Sequence, residues 1–345
     1  MTATTSPALP HSQRPRPSMQ APAAVVMVRP HHFHPNPETA ADNAYQRSSG
    51  APPTELARRA HAEVTEAAAR IAQAGVRVHL FDDTGAPGQP GTPDSVFPNN
   101  WFSTHAGGHV ALYPMYAPSR RRERRHDIIE QLKAQYRVQE VVDYSGLEQD
   151  GVFLEGTGAM VLDHIGRVAY TAQSHRANPV ALERFCTHFQ YEPMVFATAD
   201  AAGQPCYHTN VMLCIGTGFA MGGFHMVSDA ARRREVQERL WESGHTVIDL
   251  SPEQIADFAA NALELQGTAG PVLALSARAA ASLTPAQRKA MEQHATLLPL
   301  AVPTIELAGG SVRCMLAGIH LAPRQGVQAT QPPAAELQAI LAPSA

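Results

Sequence analysis

The 345-residue chain is poor in cysteine and in aromatic residues, with four cysteines, two tryptophans and 6% Phe, Trp and Tyr together. Cys186, Cys206, Cys214 and Cys314 fall at no CxxC spacing, which excludes a thiolate zinc site of the usual kind and a disulfide-stapled scaffold. No apolar run approaches the ~20 residues of a membrane-spanning helix, so no membrane partner is expected. Neither sign of charge dominates: 27 Lys+Arg stand against 31 Asp+Glu, net −4. That balance gives no electrostatic case for a nucleic-acid partner. The opening segment is Pro- and Ser-rich without an apolar leader, so free thiols in a cytoplasmic protein are the expectation. What remains is 44% hydrophobic and 17% charged with mean hydropathy −0.21, the composition of a chain with a sizeable core.

Residues 1–24 and 324–345 lack hydrophobic period and read as tails, the second with a short helix near Glu336–Leu341. Between them, residues 25–323 read as a single domain. Val25–Val28 is strand-like, and Thr54–Ala74 carries Leu56, Ala60, Val64, Ala67 and Ile71 at helical intervals. Val76–Phe81 is a strand, Ser119–Tyr136 a helix and Val138–Val142 a strand. Val152–Leu162 with Arg167–Thr171 reads as a hairpin, followed by a helix over Asn178–Phe189. A hairpin over 211–222, a helix over Ser228–Ser243 and a strand at Thr246–Leu250 come next. Thr304–Leu321 reads as a last hairpin around Gly309-Gly310. The order strand-hairpin-helix recurs about every 50–60 residues, which points to a radial α/β assembly.

A few residues in this pattern carry chemistry. Cys314 follows Gly309-Gly310, whose backbone N–H groups are suited to an oxyanion, and Arg313 adjoins it. A buried structural cysteine is the competing reading of that segment alone. His208 opens a buried strand, in Tyr207-His208-Thr209-Asn210, where a satisfied core histidine is the competing reading. Glu155 is a carboxylate in an apolar run next to Gly156, and has to be paired or put to use. Phe97-Pro98-Asn99-Asn100-Trp101, running on to His105, sets amides beside an apolar wall, as a small-ligand pocket or a capped turn does. His31, His32 and His34 have no nearby Cys or carboxylate in sequence and read as a histidine-rich loop, so no metal is expected.

Taken in order, these segments resemble the guanidino-group-modifying superfamily of arginine deiminases, dimethylarginine hydrolases and amidinotransferases. The resemblance spans about residues 25–322. It implies a five-bladed α/β propeller (pentein) of ββαβ modules, with no cofactor and no metal, acting on a small amino-acid substrate, and it leaves a homo-oligomer open. It assigns Cys314 as nucleophile, His208 as general acid/base and Glu155 as the active-site carboxylate. Asn99 is implied to hold the substrate α-carboxylate with Arg176 and with Arg120 or Arg122, and Gly309 and Gly310 to belong to the nucleophile loop.

Two departures from the deiminase pattern bear on substrate. Where deiminases grip the guanidinium with two aspartates, this chain is expected to present His105 and Asn210. A cation without those counter-charges would lose several kcal/mol of solvation on entry, and a neutral ureido group much less. Asn210 offers both a donor and an acceptor to such a group. The first motif, Arg29-Pro30 with Phe33, Asn36, Thr39, Asn43 and Gln46, also resembles the citrulline utilization hydrolase branch. The expected reaction is citrulline to ornithine, carbon dioxide and ammonia, with a stronger reliance on a His208–Cys314 ion pair than a cationic substrate would need. An arginine or methylarginine hydrolase is the alternative, and a non-catalytic propeller serving as a binding module is a third reading.

Overall fold

The structure is a computed structural model describing residues 19–83, 85 and 90–326. Its strands are β1 (Ala24–Pro30), β2 (Arg77–Asp83), β3 (Phe102–His105), β4 (His109–Leu112), β5 (Glu140–Asp143), β6 (Met160–Asp163), β7 (Val168–Ala172), β8 (Glu192–Phe196), β9 (Leu213–Ile215), β10 (Phe219–Gly222), β11 (Thr246–Asp249), β12 (Leu263–Gly267), β13 (Gly270–Ser276), β14 (Thr296–Leu300) and β15 (Ala317–Gly318). They form five three-stranded sheets: β15-β1-β2, β3-β4-β5, β6-β7-β8, β9-β10-β11 and β12-β13-β14. In each, an antiparallel pair is followed by a parallel one.

The parallel step demands a crossover, and helices supply it. The helices are α1 (Pro53–Gln73), α2 (Pro118–Arg121), α3 (His126–Gln135), α4 (Gly156–Ala159), α5 (Pro179–Phe189), α6 (Ala230–Glu242), α7 (Pro252–Ala256), α8 (Ala277–Ser282), α9 (Pro285–Glu292) and α10 (Val312–Met315). Within the sheets, α1, α3, α5, α6 and the pair α8–α9 bridge the parallel strands. Local chemistry sets their ends. Asn178 accepts from the Val180 N–H at the start of α5, and Asp229 does the same for Arg232 in α6. Thr284 and Gln287 form a capping box at α9. The α1 stripe of Leu56, Ala60, Val64 and Ile71 is buried against β1 and β2.

The result is the expected five-bladed propeller of ββαβ modules, closed where β15 near the C-terminus pairs with β1 near the N-terminus. Closure brings the segment bearing Cys314 against the N-terminal loops.

Local differences are instructive. The last segment is not a hairpin: it holds a 3-10 turn at Ile305–Ala308, then α10 and β15. Gly309, at φ +79°, turns the chain there, and any Cβ on it would run into Asn43. The expected strand over 152–162 is interrupted by α4, so Glu155 caps a turn and does not sit inside a strand. The helix over 119–136 is split into α2 and α3. At the N-terminus, ordered packing begins before residue 25. Gln20 is buried, donates to the carbonyls of Leu162 and Ile215, and accepts from the His164 N–H. Residues 1–18 and the proposed helix near Glu336–Leu341 lie outside the described residues. No helix among the described residues is long and apolar enough to cross a membrane.

Candidate active site

Cys314, His208, Arg120, Arg176 and Gly310 line one cavity of ≈ 20 Å³, together with Asn100, Asp94, Thr39, Asn43 and Tyr207. Space of that size holds about one water. Two other cavities, of ≈ 40 and ≈ 710 Å³, are lined by none of Cys314, His208 and Glu155.

The nucleophile candidate is held by amides. The side-chain nitrogens of Asn210 and Asn261 each approach the Cys314 sulfur at 3.3 Å. Asn261 is fixed in turn, donating to the Asn210 carbonyl at 3.0 Å and accepting from the Arg313 N–H at 3.0 Å. All three side chains are buried.

His208 begins the turn Thr209–Val211, and Thr209 locks it by accepting from the Ala172 N–H and donating to the Ala159 carbonyl. Its Nε2 lies 2.8 Å from Glu155 Oε2. An ionised carboxylate only accepts, so Nε2 carries the proton and Nδ1 keeps a lone pair. Nδ1 stands over Gly158, where an added Cβ would come within 2.9 Å of it and would also strike the Asn100 amide. Gly158 is therefore what lets the imidazole and the amide share that space.

Burial pushes the His208 pKa down to about 4 against the pull of Glu155. The imidazole is neutral near pH 7, and the expected His208–Cys314 ion pair is not its resting state. Glu155 is fully buried, a condition that by itself would raise its pKa. The charge of Arg176, the His208 hydrogen bond and the charge of Arg120 together bring it well below the usual carboxylate range.

Both guanidinium groups reach Glu155 Oε2 at 3.5 Å, and the Tyr116 N–H donates to Oε1 at 2.9 Å. Arg120 also makes a fork with Glu123 and bonds Asn100 Oδ1 at 2.9 Å. Burial pushes the Glu123 pKa up, and the charge and hydrogen bonds of Arg120 pull against that rise. Arg176 forks onto Asp42 and stacks 4.9 Å over the Tyr207 ring. Asp94 receives the Asn36 amide at 2.8 Å, and burial raises its pKa.

Some expected positions need correcting. His105 does not face the cavity: its Nε2 bonds Ser103 and its ring packs among Phe185, Phe189 and Tyr191. Strand alternation turns it to that side of β3, and the position beside His208 belongs to Asn100. Arg122 is exposed and bonds only the Gly91 carbonyl among the described residues, because it follows the last turn of α2. Asn99 is buried with neither amide atom partnered among the described residues, and it is its neighbour that lines the cavity. Gly309 spends its N–H on Glu306 and its carbonyl on Tyr207, so Gly310 alone of the pair faces the cavity.

Asn261, Asp94, Asp42 and Gly158 escaped the sequence reading, whereas the Asn99-Asn100 pair marked the right segment with the role given to the wrong member.

With this geometry in view, the family profile described as N,N dimethylarginine dimethylhydrolase, eukaryotic, matches residues 29–321. The chain belongs to that family. Its place is thus within the guanidino-group-modifying pentein superfamily, among hydrolases.

Solved structures share the fold. The N-terminal domain of ArgZ, an arginine dihydrolase of the ornithine-ammonia cycle in Cyanobacteria, solved bound to substrate, gives a TM-score of 0.66 at 18% identity, covering 86% of this chain and 97% of that one. AgrE in complex with L-arginine gives 0.66 at 16% identity, covering 89% of this chain and 41% of that one. The dimethylarginine hydrolase of Pseudomonas aeruginosa complexed with citrulline gives 0.57 at 15% identity, covering 87% and 100%. No match was found among curated proteins.

Proposed function

We propose that this protein is a cysteine hydrolase of a ureido amino acid, with citrulline the simplest candidate, yielding ornithine, carbon dioxide and ammonia. One observation carries the choice of head group. The sulfur of Cys314 is contacted by two neutral amides, Asn210 and Asn261, with a third amide, Asn100, beside the neutral His208. Asn210 Oδ1 is buried and unpartnered among the described residues, an acceptor placed next to the nucleophile. A ureido –NH2 matches it without a charge being desolvated.

The proposed steps are these. His208 Nδ1 takes the thiol proton while the amide N–H groups of Asn210 and Asn261 support the charge developing on sulfur. The sulfur adds to the ureido carbon, with the Gly310 N–H, on the cavity wall, as the proposed donor to the tetrahedral oxyanion. His208, now protonated and steadied by Glu155, hands its proton to the departing ornithine nitrogen. Water activated by His208 then cleaves the S-carbamoyl enzyme, and the released carbamate breaks down to ammonia and carbon dioxide. Arg120 and Arg176 are the cations for the substrate α-carboxylate. In the closed cavity Asp42 occupies Arg176, so the 36–47 loop has to withdraw for an amino acid to enter.

Arginine is the second reading, favoured by the buried Asp94 carboxylate on the cavity wall and by the arginine complexes of similarly folded proteins. Incubation with citrulline, arginine and dimethylarginine, assayed for ornithine, citrulline and ammonia, tests the proposal. Ornithine from citrulline supports it. Citrulline accumulating from arginine, with citrulline itself inert, overturns it.

A further inference from the structure

Away from the cavity, three side chains from three elements converge on one point. His109 opens β4, Glu140 opens β5, and His188 lies in the last turn of α5. His109 Nδ1 is 3.2 Å and His188 Nε2 is 3.4 Å from the same atom, Glu140 Oε2, and all three ligand atoms lie within 4.8 Å of one another. We propose that His109, Glu140 and His188 form a divalent transition-metal site of the zinc class that clips the second blade, β3-β4-β5, to the helix of the third.

The two distances to Glu140 are what such an ion asks for. Metal–ligand bonds of ~2.0–2.1 Å in a tetrahedron put neighbouring ligand atoms roughly 3.3 Å apart. Two imidazoles and one carboxylate suit zinc, nickel, copper and iron better than magnesium or calcium, which prefer all-oxygen shells. The remaining coordination positions face solvent, since the three residues are one-third to one-half exposed.

Two of the ligands need no organising. His109 and Glu140 are register partners in the parallel β4–β5 ladder, so the backbone fixes their separation. The third is tethered through its neighbour Phe189, which is buried in the core against Phe185. Among the described residues, the ion pairs of Glu140 are with these two histidines and with no Lys or Arg.

A second cluster, His31, His61 and Asp82, makes the contrast. There the Arg29 guanidinium sits 2.5 Å from Asp82 Oδ2, a fixed positive charge beside any incoming dication. None of His109, Glu140 and His188 lines the catalytic cavity, so an ion here acts on the stability of the ring and leaves the chemistry alone.

The test uses the full-length Cys314→Ser protein, so that a thiolate site cannot compete for the ion. Cobalt(II) is titrated at pH 8 and followed by its visible d–d bands, and thermal unfolding is recorded with and without about 100 µM zinc. The expected result is one cobalt per chain and a rise in Tm of about 2 °C or more with zinc. His188→Gln and, separately, Glu140→Gln should each weaken cobalt at least about tenfold and remove the zinc shift, with the metal-free Tm nearly unchanged. His31→Gln should leave both readouts as they were. Absence of cobalt binding up to about millimolar concentration would overturn the site. So would an affinity that survives both His188→Gln and Glu140→Gln, or one that disappears with His31→Gln.

Discussion

The side chains around the candidate cavity are of two opposite kinds. At the Cys314 end the groups nearest the sulfur are amides and a neutral imidazole. At the other end Arg120 and Arg176 are interlaced with the buried Glu155 and Asp94 and with the partly exposed Asp42. The two sets meet at Glu155, whose Oε2 is shared by His208 at 2.8 Å and by both guanidinium groups at 3.5 Å. The arginines suit a carboxylate, and the amides suit a head group that hydrogen-bonds without carrying charge.

The largest effect expected is at the neutral end. Cys314→Ala should reduce turnover below roughly one part in a thousand with unfolding temperature unchanged, measured as ornithine release. Activity above that level would move the nucleophile elsewhere.

His208→Asn should cost about 10²–10⁴ in kcat, and its effect on stability has a defined sign. The folded pKa of about 4 lies below the ordinary 6.5, so the fold holds the neutral imidazole. The stabilisation is complete above pH 6.5 and is lost as pH falls towards 4, a difference on the order of 3 kcal/mol. Denaturant titrations of wild type between pH 7 and 4 should show this decline, and His208→Asn should flatten it. An unchanged slope in the variant would mean that other buried histidines, such as His79 and His320, dominate the acid limb.

At the charged end, Arg120→Ala should raise KM far more than Arg122→Ala, which should leave kinetics unaltered, because only the first reaches the cavity. Losing Arg120 also strands Glu123 and weakens the grip on Glu155, so Arg120→Lys is the gentler variant for reading KM.

Among the buried positions the smallest effect should come from His105→Gln. Citrulline kinetics should be nearly those of wild type, with only a modest loss of stability, since the residue belongs to an aromatic cluster and not to the cavity. A large rise in KM for citrulline would contradict that placement.

Which parts were legible follows from how far apart the partners lie in the chain. Cys314, His208 and Glu155 stood out because each is a reactive or charged group in an apolar or glycine-rich setting, and their association followed from the family motifs. The ββαβ order was visible because helix and strand periods are local. What sequence did not show depends on contacts between distant segments. Asn261 meets Cys314 across 53 positions, and Asp42 meets Arg176 across 134.

The His105 expectation failed for a local reason. The aspartate of the deiminase pattern was matched at the end of the segment, whereas the cavity is reached from the turn at Pro98–Asn100, before β3 begins. Asn100, the residue now at the position, is also neutral, while the buried Asp94 carboxylate stands on the same cavity wall. The hairpin read around Gly309 failed because two glycines mark a turn without saying whether a strand or a helix follows.

The central claim is that the reacting end selects a neutral head group. Calorimetric titration of citrulline and of arginine into Cys314→Ala, alone and carrying Asn100→Asp with Asn210→Asp, tests it most directly. The account predicts that Cys314→Ala binds citrulline more tightly than arginine, and that the added carboxylates reverse the order. Tighter binding of arginine by Cys314→Ala itself would contradict it.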